Sequence, residues 1–106
     1  MAGVEPVTPL LEHGLVSCRA QLAEAGGDEA EAAILYAEAA GRWRGFGDVR
    51  EYAHALLGQG RCLVAQDKIE AEAPLREARE LFASMGYKPA LLETEALLGS
   101  ADAAAL

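Results

Sequence analysis

Residues 41–49, GRWRGFGDV, allow two opposed readings, and choosing between them decides the fold. Two arginines flank a tryptophan among three glycines, and a phenylalanine follows. Arginine on phosphate and rings on bases is the chemistry of single-stranded nucleic-acid binding. The same letters also spell the end of one helix and the start of the next. Trp43 and Phe46 are three apart, hence on one helical face. Gly47 suits a left-handed helix cap, and Asp48 suits the N-cap that follows. Arg42 and Arg44 then fall in a last helical turn, where positive charge favours the dipole.

Charge supports the helical reading. The 106 residues carry 17 acids against 9 bases, a formal net charge of −8. Nucleic-acid affinity comes largely from neutralising phosphates, so an acidic chain is a poor candidate, and nucleic acid is not an expected partner. No stretch approaches the ~18 apolar residues of a membrane span. The opening MAGVEPVTPL lacks the basic region and apolar core of a secretory leader. A cytoplasmic protein is expected, with Cys18 and Cys62 as buried, reduced thiols.

Outward from residues 41–49 the helical pattern continues. Apolar residues recur at three- and four-residue steps, and alternation with period two is lacking. Asp28-x-x-Glu31, Asp48-x-x-Glu51 and Asp67-x-x-Glu70 each precede such a run, as capping boxes do. Thr8-Pro9 and Lys88-Pro89 add two starts. Gly26-Gly27, Gly47 and Gly86 supply stops. The fold class is therefore all-α, with helices over 9–25, 28–46, 48–65, 68–85 and 89–103. Residues 1–8 form an extension and 104–106 a frayed tail. Short connections make neighbouring helices antiparallel. Pro74, inside the fourth helix, predicts a bend or an irregular start there.

The chain repeats itself. Ala32, Ala39, Trp43, Phe46 and Gly47 match Ala71, Ala78, Phe82, Met85 and Gly86 at an offset of 39. At an offset of 41, ALLG at 55–58 recurs at 96–99, and His13, Leu15 and Leu22 match His54, Leu56 and Leu63. The offsets differ by two residues, which loops absorb. This describes two helical hairpins and a final capping helix that packs Leu91, Leu92, Leu97 and Leu98.

The paired small residues Ala32/Ala39 and Ala71/Ala78, each pair followed by an aromatic at Trp43 or Phe82, resemble the tetratricopeptide repeat. HALLGQGRCLVAQ and AEAPLREARELFASMGY are similar to the C-terminal repeats of large bacterial signalling ATPases and of cyclase-type or LuxR-type transcriptional regulators. The resemblance covers residues 10–100. It implies a stack whose first helices line a concave groove, and a non-catalytic protein-protein interaction module of a larger bacterial regulator. The unit of 39–41 residues exceeds the usual 34, Gln59 replaces a large apolar residue, the turn at Gln66-Asp67 lacks a glycine, and Arg19 stands where the third helix has Gly60.

On that resemblance, His13 and His54 face the groove, one per repeat, with Glu95 in the third place. The second repeat adds Leu57, Arg61 and Val64. Chaperone-binding members of the family hold a terminal carboxylate with Lys and Asn. The matching positions here are Val16, Ala20, Leu57 and Arg61, of which only Arg61 can bind an anion, so that clamp is not expected. No nucleophile–base pair, phosphate loop or metal-ligand spacing is present, and neither an enzyme, a cofactor nor a metal is expected. The partner is expected to be a protein, a peptide or another domain of a longer chain. The alternative is self-association as a homodimer. The first helix carries Leu10, Leu11, Leu15, Val16 and Leu22, with Val4 and Val7 before it, more than one hairpin face can bury. Leu11 and Val16 are the residues expected to mediate it.

Overall fold

The computed structural model describes residues 9–105. The fold is all-α. Its helices are α1 (Pro9–Ala25), α2 (Glu29–Phe46), α3 (Val49–Ala65), α4 (Glu72–Met85) and α5 (Lys88–Ala105), and a 3₁₀ turn, Ile69–Ala71, leads into α4. No strand occurs among the described residues. The connections over 26–28, 47–48 and 86–87 are too short for anything but antiparallel neighbours. Packing runs from each helix to the next, and α3 also reaches α5. The extents are 59 × 30 × 19 Å and the radius of gyration is 14.6 Å. A compact chain of this length has about 13 Å, so the helices lie side by side as an elongated array. No helix is long and apolar enough to cross a membrane.

One motif closes all of the first four helices. Gly27, Gly47 and Gly86 adopt φ of 86°, 91° and 69°. At each, the residue after the glycine donates its N–H five residues back. Asp28 reaches Ala23 O at 2.9 Å, Asp48 reaches Trp43 O at 3.1 Å, and Tyr87 reaches Phe82 O at 3.0 Å. This is the Schellman pattern. Asp28 and Asp48 then open the next helix, accepting from the N–H of Glu31 and of Glu51 at 3.1 Å each. The reciprocal half of the capping box is pre-empted, because the aspartate N–H already closes the preceding helix.

Asp67 departs from the sequence expectation. It is not an N-cap but stands in the left-handed region itself, φ 56°, where the other turns have glycine. Lys68 N–H closes the motif on Leu63 O at 2.9 Å. Aspartate tolerates this conformation better than most residues. With Asp67 used as a stop, no side chain caps the next helix. The chain starts instead with the 3₁₀ turn, and Pro74 becomes the third residue of α4. There its missing N–H is one of the orphan groups of a first turn, and no bend is needed.

Alanines dominate the core. Ala39, Ala53, Ala71 and Ala78 are fully buried and let the helices approach closely. Around them pack Trp43, Leu56, Leu75, Phe82 and Leu98. Helix α3 receives large side chains from both sides on bare backbone. A Cβ at Gly58 would lie 2.5 Å from Tyr36 Cε1 of α2, and one at Gly60 would overlap the Leu75 side chain of α4. In α5 the buried line is Ala90, Thr94, Leu98 and Ala101, and Thr94 satisfies its hydroxyl by donating to Ala90 O at 2.7 Å. Leu91 and Leu97 flank the core, but Leu92 is exposed, so only part of the expected capping set is packed. Helix α5 runs on past 103 to Ala105. Residues 1–8, with Val4 and Val7, and Leu106 lie outside the described residues.

Candidate functional site

The two histidines build the same cluster twice. His13 of α1 lies edge-on to Trp43 and Phe46, ring centroids 5.4 and 5.3 Å away. His54 of α3 lies edge-on to Phe82 and Tyr87 at 5.0 and 5.4 Å. The edge-to-face geometry sets positive ring edges on negative ring faces. Tyr87 rather than Met85 is thus the counterpart of Phe46. The two extra residues of the second unit fall between Phe82 and Tyr87, at the α4–α5 turn. Each histidine is half-buried against its own hairpin's second helix or the turn after it, rather than forming an open row with Glu95. The His54 Nδ1–H donates to Arg50 O at 3.0 Å. The His13 Nδ1 is buried without a hydrogen-bond partner.

Arg61 is also engaged. Its Nε donates to Glu24 Oε2 at 2.5 Å and its Nη2 to Glu24 Oε1 at 2.9 Å, while Nη1 donates to Glu93 Oε2 at 2.8 Å. One guanidinium so ties α3 to α1 and α5. Tyr36 of α2 donates its hydroxyl to the same Glu24 at 2.7 Å. The Arg61 bonds hold the Glu24 carboxyl below the usual glutamate range against the opposing effect of burial. Burial, followed by donation to Glu24, pushes the Tyr36 hydroxyl up, and the Glu24 bond pushes Arg61 up. Cys62 is fully buried beside this network. Burial, reinforced by the Glu24 charge, moves its thiol up to about 12, which makes it a poor nucleophile.

Of the residues expected to line a groove, His13, His54, Arg61 and Val64 are half-buried and Leu57 is not at the surface. Leu57 is 3% exposed and belongs to the core. Val64 packs half-buried against that core. Val16, expected to mediate self-association, is 4% exposed and faces inward with Trp43. Cys18, expected to be buried, is exposed.

A line of exposed apolar residues runs along the other face of α1. Leu15 is 44% and Leu22 72% exposed, Leu11 is 49% exposed on the same line, and Cys18 stands between them. Helix α1 packs extensively on α2 alone. Its inward face is taken by Val16, Ala20 and Ser17, whose Oγ accepts the Trp43 Nε1–H at 2.9 Å. Leu11, Leu15, Cys18 and Leu22 point the opposite way. Beside them Glu12, Arg19 and Arg42 border a shallow cleft of about 240 Å³. Arg42 is paired with Glu38 at 3.2 Å.

Among the described residues, no three histidine, cysteine or acidic side chains come together as a metal site. No family model, curated protein or solved structure matches this chain.

Glu24, Glu93 and Tyr36 give no local signal in the sequence, because their partners are 32 or 37 residues from them or reached only through the fold. The place of Tyr87 had a visible signal: it lies 41 residues after Phe46, the same offset that relates His13 to His54.

Proposed function

We propose that this chain is a non-catalytic protein-interaction module, the tetratricopeptide-like part of a larger bacterial signalling or transcriptional regulator. The observation that carries this reading is the outer face of α1, where Leu15 and Leu22 stay exposed in one line on a helix that packs extensively on α2 alone. A stack of helices buries each apolar face on its neighbour, and an uncovered terminal face invites a further element. The Arg61, Tyr36 and Tyr52 side chains are spent internally: Arg61 on Glu24 and Glu93, Tyr36 on Glu24, and Tyr52 on Glu77 at 2.5 Å.

The test is recovery of a binding partner by the wild-type chain and by a Leu15→Glu/Leu22→Glu variant, followed by reconstitution from two purified components. Direct binding that the variant loses while keeping its helical circular dichroism is the expected result. A purified complex that forms equally well with the variant would overturn α1 as the docking face.

A further inference from the structure

The exposed line on α1 has a property that selects its occupant. Leu11, Leu15, Cys18 and Leu22 are spaced four, three and four residues apart, and that spacing reads the same in either direction. At ~100° per residue the four positions fall within about 60° of arc, a seam of the coiled-coil kind. The geometry points to a second copy of this chain, packed antiparallel with α1 on α1′ about a two-fold axis level with the Val16–Ser17 peptide. This rests on the reading of α1 as the docking face and deepens it by naming the occupant.

The axis sets Leu15 opposite Cys18′ and Leu11 opposite Leu22′, so apolar residues meet along the whole seam. The two-fold also brings like flanks together. Glu12 and Arg19, both exposed, lie on one side of the seam. In the antiparallel pair Glu12 comes within two residues, about 3 Å of axial rise, of Arg19′, and the pairing occurs twice. A parallel pair would instead set the Glu12 and Arg19 flank against the opposite, Gly14 flank of the second copy and lose this pairing. On the other flank Gly14 has no side chain to hold the helices apart. The same symmetry brings the two exposed Cys18 residues near the axis. They are about 4.5 Å apart along the helix direction. With helix axes about 8–9 Å apart and a Cα radius of ~2.3 Å, their Cα atoms lie about 6 Å apart, within disulfide reach.

The experiment is equilibrium sedimentation of the whole chain, with and without diamide as the thiol oxidant. The reduced wild type is expected to be a concentration-dependent dimer. Leu22→Glu should weaken it by more than about tenfold, a charge having been placed in the seam. Oxidation should trap a covalent dimer that Cys18→Ser abolishes. Cys18→Ser itself should still dimerise reversibly. Glu12→Arg or Arg19→Glu alone should weaken the dimer by roughly fivefold, and the two together should restore it. A dimer that resists Cys18 cross-linking and ignores the charge exchange overturns the antiparallel geometry. A monomer at all concentrations overturns the second copy as occupant, whether its Cys18 reacts freely with a maleimide or is shielded by its own chain. If that monomer still binds another protein through Leu15 and Leu22, the interaction module stands without the dimer; if it binds none, both fall.

Discussion

Glu24 and Arg61 are 37 residues apart and meet through two parallel hydrogen bonds, Nε to Oε2 at 2.5 Å and Nη2 to Oε1 at 2.9 Å. This fork joins α1 to α3, which otherwise touch little. Paired bonds between ions are the stronger kind, although Arg61 keeps a third of its side chain in solvent, which screens the pair. Glu24→Gln is expected to cost about 1–2 kcal/mol at neutral pH. The Glu24 carboxyl is held below its ordinary value in the folded chain. Its contribution is therefore whole above the unfolded value of about 4.3 and fades as pH falls through the lower, folded value. Urea midpoints of wild type and Glu24→Gln should differ at pH 7 and converge on acidification. A gap that stays constant down to pH 3 would mean that the carboxylate charge is not what binds Arg61.

Trp43 fills the space where α1, α2 and α3 meet and is 4% exposed. Trp43→Ala is expected to cost about 3–5 kcal/mol, lowering the melting temperature by more than about 10 °C. Trp43→Phe keeps most of the volume and loses the bond to Ser17, at about 1 kcal/mol. Native fluorescence should be blue-shifted and resist quenching by iodide. A Trp43→Ala protein melting within a degree or two of wild type would remove Trp43 from the core.

Gly58 and Gly99 close the same ALLG tetrapeptide in α3 and α5, and alanine there should have opposite effects. Helix propensity alone favours alanine by about 1 kcal/mol at both sites. At Gly58 the new methyl meets the Tyr36 ring, which cannot retreat without breaking its bond to Glu24. Overpacking of about 1–3 kcal/mol should outweigh propensity. At Gly99 nothing lies within 4 Å, so the propensity gain should appear undiminished. Thermal melts showing both variants stabilised would place α2 and α3 farther apart than they are here.

Asp67 offers a stabilising change. Its left-handed φ of 56° is matched by glycine at three equivalent turns. Asp67→Gly is expected to gain about 0.5–1 kcal/mol, by relief of the steric cost that any Cβ meets in that region. Gly47→Ala, at φ 91°, should lose about 1 kcal/mol or more for the same reason. A destabilised Asp67→Gly in chemical denaturation would show that the Asp67 side chain contributes a contact worth more than the strain.

Much of the fold was legible because it is local. Glycine or a tolerant aspartate, an acid N-cap and an apolar 3.6-residue period act within one or two helical turns, so five helices and their near-exact limits could be read from neighbouring letters. The misreading of Asp67 shows where local signals become ambiguous: the same residue type starts one helix and stops another, and the missing glycine is what separates the cases. Which apolar residues face inward was less legible. Val16 and Leu15 are adjacent letters of similar character, yet one is core and the other surface, because only α2 lies against α1 and its direction selects the face. Arg61 carries the same lesson for polar groups. From its own helix it is a free cation in a groove; in the fold, α1 and α5 bring Glu24 and Glu93 to it, and the charge is consumed in holding the array together.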